Sequence, residues 1–106
     1  IRLGKLNVLH GHEYRFQISN PVNPARGLFL RGCSHILAGH FHITSHHSKP
    51  NLEQKVISCW STGCLCGIHP DYRPINDWTS GFAFVEVSKD GAFRVENLRI
   101  VDGKVY

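Results

Sequence analysis

The first run of the chain alternates. Leu6, Val8 and His10 fall on one side of an extended backbone, Asn7 and Leu9 on the other, and Gly11 ends the run. The pattern predicts a strand from Leu3 to His10. Asn20-Pro21-Val22-Asn23-Pro24 then interrupts regular structure and finishes in a helix-start signal, with Asn23 as N-cap and Pro24 at the first helical position. A short helix follows to about Arg31, weakened by Gly27 and closed by Gly32 as its C-terminal cap. Leu28, Phe29 and Leu30 are expected to press it onto a sheet. The next strand runs from His35 to Ala38. Thr44 to Gln54 is polar, carries His46, His47 and Pro50, and is expected to be an exposed loop.

Lys55 to Trp60 is rich in Val and Ile and predicts another strand, whereas Ser61 to Thr79 shows no clear period and leaves room for one helical turn at most. Phe82 to Val87 is apolar on both faces apart from Glu86, as in a mostly buried strand. Asp90-Gly91 is a hairpin signal leading into a return strand, Ala92 to Ile100. The apolar parity changes between Val95 and Leu98, which suggests a bulge near Asn97. Asp102-Gly103 offers a second tight turn into Lys104-Val105-Tyr106. The expected fold is α/β: one strand–helix–strand unit followed by a mostly antiparallel β meander. A helical crossover usually joins parallel strands, and the last three strands should be antiparallel.

At 106 residues, 42% apolar and 19% charged, the chain reads as one globular domain rather than a disordered segment. No apolar run approaches the roughly 20 residues of a membrane helix. Ile1 stands first, so the chain is expected to be processed or part of a longer one, and nothing near it resembles a signal peptide. The net charge of +4 would suit a polyanion, but the Lys and Arg residues are dispersed and make no focused patch. Of the four cysteines, Cys33, Cys59, Cys64 and Cys66, the last two are awkwardly spaced for a mutual disulfide. With no export signal, reduced thiols and a cytoplasmic location are expected.

Eight histidines change the picture, because imidazoles in this number point to metal or proton chemistry. Leu37-Ala38-Gly39-His40-Phe41-His42 delivers a glycine and two histidines at the end of an apolar run, and His10-Gly11-His12 does the same upstream. In extended backbone an i, i+2 pair lies on one side. If the two strands are parallel neighbours, both clusters emerge at one carboxyl edge, where open α/β sheets place their ligands. The alternative is that the histidines only cap strand ends. His69, before Pro70, and the His46-His47 pair are weaker candidates. Cys59, Cys64 and Cys66 with His46, His47 or His69 could build a structural zinc site, though C-x4-C-x-C lacks paired C-x2-C knuckles. Trp60, Tyr72 and Trp78 could wall a pocket or anchor loops.

The order of strand, His10-Gly11-His12, helix, strand and Gly39-His40-Phe41-His42 resembles the second half of a calcineurin-like metallophosphoesterase of bacterial or phage type. The segments Asn23 to Gly27, Val56 to Gly63 and Gly81 to Val85 resemble such members too, so the likeness covers essentially all of residues 1–106. It implies half of an α/β metallophosphoesterase sandwich and two-metal hydrolysis of phosphate mono- or diesters, nucleotides or nucleic acid among the candidates. By the same likeness His10 and His40 share one divalent ion (Mn, Fe, Zn or Ni), His42 holds the other, and His12 stands near the leaving group as a catalytic donor.

The family's D-x-H, G-D-x-x-D and G-N-H-D/E motifs do not occur here. Without a bridging carboxylate two cations a few ångströms apart repel strongly. The chain is therefore expected to be the C-terminal portion, partnered by a missing N-terminal half, binding metal weakly and inactive alone. From another class, a non-catalytic Cys/His metal-binding or nucleic-acid-binding module would account for the same histidines, cysteines and positive charge.

Overall fold

A computed structural model describes residues 1–13, 22–72 and 75–106. They form a mixed α/β fold, mostly strands, with two sheets and one short helix. The first sheet has the order β1-β2-β3-β5-β4, from β1 (Arg2–Leu3), β2 (Leu6–Leu9), β3 (Ile36–Ala38), β4 (Ser45–Pro50) and β5 (Val56–Ser61). The second is the meander β6 (Ser80–Val87), β7 (Phe93–Val101) and β8 (Lys104–Val105). Helix α1 spans Pro24–Gly32.

The crossover behaves as its chemistry dictates. Asn23 caps α1, its Oδ1 accepting the Arg26 N–H at 3.2 Å, and Pro24 occupies the first turn. β2 and β3 pair in parallel across the crossover, Asn7 opposite Ile36 and Leu9 opposite Ala38. Ile36 and Ala38 meet Ala25, Leu28 and Cys59 in the buried core beneath α1. On the other side of the same strands, Trp60 and His35 set their rings against Phe93 of β7, at 6.0 and 5.0 Å. The layers are therefore helix, first sheet, second sheet.

Several details differ from the pattern. The first strand is interrupted: Gly4, at φ 59°, turns the chain so that β1 folds back antiparallel on β2. The helix closes one residue later than expected, on Cys33, whose left-handed backbone (φ 49°) lets its N–H reach the Phe29 carbonyl at 3.0 Å. Leu30 is 55% exposed while Leu28 is buried. Two helical residues two apart stand about 200° apart around the axis, so both cannot face the sheet. Residues Asn20 and Pro21 of the preceding loop lie outside the described residues.

The polar connector is a strand. β4 pairs antiparallel with β5 from Ser45 opposite Ser61 to Pro50 opposite Val56. Its packing groups are imidazoles, His46 stacked on Trp60 at 5.2 Å and His47 edge-on to Phe29 at 4.9 Å. β6 is half exposed rather than mostly buried, with Phe84 at 52% and Val87 at 45%. No bulge interrupts β7, whose register with β6 is unbroken from Ser80–Ile100 to Val87–Phe93. The parity change arises because a polar residue takes an inward position: Asn97 donates through Nδ2 to the carbonyls of Ser45 (3.2 Å) and Ser61 (2.9 Å), tying the two sheets together. Ser61 still belongs to β5, and the described part of 62–79 is irregular and contains no helix. No helix among the described residues is long and apolar enough to cross a membrane.

Candidate metal centre

The parallel pairing of β2 and β3 brings His10 and His40 to one carboxyl edge. The His10 carbonyl accepts N–H bonds from both Gly39 (3.3 Å) and His40 (2.7 Å), and the two rings stand 5.0 Å apart. Gly11, at φ 114°, reverses the chain just beyond β2 and folds His12 back onto His10, their Nδ1 atoms 2.8 Å apart. Three of the four expected imidazoles thus converge.

Glu13 completes this edge, and the sequence reading passed over it. Its Oε1 lies 3.2 Å from His12 Nδ1, and with His10 and His12 it offers ligand atoms all within 4.8 Å of one another. The same carboxylate accepts the N–H groups of His10 (2.9 Å) and Gly11 (2.7 Å). The hydrogen bond from its own amide, with those from His10 and Gly11, holds its pKa at about 2 against partial desolvation. The signal in the sequence was its place at i+3 of a glycine turn, where a carboxylate reaches back to open backbone donors. Neutral imidazoles plus one fixed carboxylate suit a borderline divalent cation, so the donor set fits the ion expected here.

His40 is tuned toward the ligating form. Partial desolvation, then the neighbouring His10, His42 and His12, lower its pKa below the ordinary 6.5, with Glu13 opposing. The unfolded chain protonates His40 at its ordinary value and the folded chain only at lower pH. This contribution to stability is therefore constant above about 6.5 and declines as pH falls from there toward the folded value. A histidine proton–carbon NMR titration is expected to give His40 a midpoint below 6.5.

His42 departs from the expected arrangement. β3 ends at Ala38, and the His42 N–H turns back to Gly39 O at 3.2 Å, with His42 itself at φ 59°. The i, i+2 rule for extended backbone therefore does not apply. The His42 ring packs on Trp78 at 4.3 Å and gathers with Cys64 and Cys66, a partner the zinc expectation did not name. Tyr72 lies beyond, 6.3 Å from Trp78.

All four cysteines are free. Cys59 belongs to the core: its Sγ lies 3.2 Å from the Ser34 carbonyl, and burial pushes its pKa up to about 11. Burial, with the adjoining Cys66, also raises the Cys64 thiol. His46 and His47 serve β4, and His69 lies in an exposed turn outside both groups. Compared with models of protein families, with curated proteins and with solved structures, the chain gives no match.

Proposed function

We propose that this chain is the C-terminal portion of a calcineurin-like, metal-dependent phosphoesterase that hydrolyses phosphate mono- or diesters. One observation carries the reading: parallel β2 and β3, joined through α1, deliver His10 and His40 to the same carboxyl edge with their rings 5.0 Å apart. That is the edge at which open α/β sheets bind ligands. His10 and His40 are the ligands of one ion at that edge. Divalent ions, when bound, supply Lewis acidity and neutralise charge on the phosphate.

The chain's own residues prepare the edge. Glu13 fixes the turn through the N–H groups of His10 and Gly11. His12, exposed with its Nδ1 2.8 Å from that of His10, is the group placed to donate a proton to the leaving oxygen. The remaining carboxylates come from the D-x-H, G-D-x-x-D and G-N-H motifs of the N-terminal half.

The test starts from the coding sequence upstream, where those three motifs are expected in that order. The protein carrying them is expected to hydrolyse an aryl phosphate in a manganese-dependent way. His40→Ala should lower that rate by more than about 100-fold, beyond the 10–100-fold typical for loss of an outer-shell partner. Upstream sequence without the motifs, or an active His40→Ala variant, would sink the reading.

A further inference from the structure

We infer that His42, Cys64 and Cys66 form a binding site for a soft divalent cation, zinc in preference to magnesium or manganese, separate from the histidine edge. The inference does not rest on the phosphoesterase reading. One ring nitrogen of His42 and the two sulfurs lie within 4.8 Å of one another. Around tetrahedral zinc two thiolates stand about 3.8 Å apart and a sulfur and an imidazole nitrogen slightly closer, so the donors need to close by about 1 Å.

Two of the three ligands are held by one residue. The Thr79 N–H donates to the His42 carbonyl and the Thr79 carbonyl accepts the Cys64 N–H, both at 2.8 Å. The Cys64 carbonyl then accepts from Gly81 at 3.0 Å, so Cys64 is stitched to the start of β6. Thr44 reinforces the joint, its N–H donating to Thr79 Oγ1 at 2.9 Å. Gly63 permits the close approach, since a Cβ there would meet Thr79 O at 2.5 Å and Gly81 N at 2.8 Å. Cys66 alone is exposed and able to adjust.

Independently, the Nδ1 of His42 is buried with no hydrogen-bond partner among the described residues. Such an atom calls for a partner, and a cation bound at that nitrogen would supply one. Two thiolates and an imidazole are a soft set, suited to zinc over oxygen-seeking ions. Three protein ligands leave a fourth position for an exchangeable ligand.

The test uses the 106-residue chain, reduced, titrated with cobalt(II) as a spectroscopic stand-in for zinc. A near-ultraviolet thiolate-to-cobalt band is expected at one equivalent, reversed by zinc. It should vanish in Cys64→Ser and in Cys66→Ser, and persist in Cys33→Ser and in a His10→Ala/His12→Ala double variant. A second measurement needs no variant: zinc should slow alkylation of Cys66 at least tenfold, read by mass spectrometry, while exposed Cys33 is unaffected. Absence of the band, its survival in Cys66→Ser, or equal responses of Cys33 and Cys66 to zinc would overturn the site.

Discussion

Leu28→Ala is expected to destabilise the chain by about 3 kcal/mol, within the range for a fully buried leucine truncated to alanine. Leu28 has no exposed surface and sits with Ala25, Ile36, Ala38 and Cys59 where α1 meets the first sheet. A folded domain retains only about 5–15 kcal/mol in total. The loss should lower the melting temperature by about 15 °C at the several degrees per kcal/mol usual for a domain of this size. Leu30→Ala, at a position 55% exposed on the same helix, should shift stability by less than about 0.5 kcal/mol. Thermal unfolding followed by circular dichroism compares the two. Equal losses would mean that α1 is packed in a different rotation.

That contrast also shows what the pattern could and could not convey. α1 was legible because Asn23 and Pro24 are local chemistry, and so were the turns at Asp90-Gly91 and Asp102-Gly103, where Gly91, Asp102 and Gly103 all take positive φ. β4 was not, because its packing contacts are made by histidines, His46 on Trp60 and His47 on Phe29, rather than by aliphatic residues. Pro50 does break the structure, but it marks the end of the strand. Asn51 Oδ1 accepts the N–H groups of Glu53 and Lys55 at 3.0 Å each, closing the turn into β5.

The two candidate metal groups divide in the same way. His10 and His40 could be paired from sequence because two parallel strands and one crossover decide where they end. His42 could not be assigned to Cys64 and Cys66, because that grouping depends on a left-handed residue and on Thr79, which reaches both segments from far along the chain. Periodicity carries no information about either.

Gly11→Ala is expected to dismantle the histidine edge without removing a ligand. Gly11 sits at φ 114°, where side chains are rarely tolerated, and an added Cβ would meet His40 Cβ at 2.7 Å and the Phe41 ring at 3.4 Å. Backbone strain of this kind costs about 1–3 kcal/mol, and the close contact adds to it. Neither neighbour can yield cheaply, since His40 is tied through its own N–H to the His10 carbonyl. The turn must therefore rotate, carrying His12 and Glu13 away from His10 and His40. Stability should fall by at least about 2 kcal/mol, and zinc or nickel affinity at this edge by more than tenfold, read by calorimetry. Gly67→Ala is the control, because nothing lies within 4 Å of the added carbon. The cobalt–thiolate band at His42, Cys64 and Cys66 should survive Gly11→Ala, since none of its ligands hangs on that turn. Loss of both signals together would show that the two groups act as one centre, with His40 and His42 as the link between them.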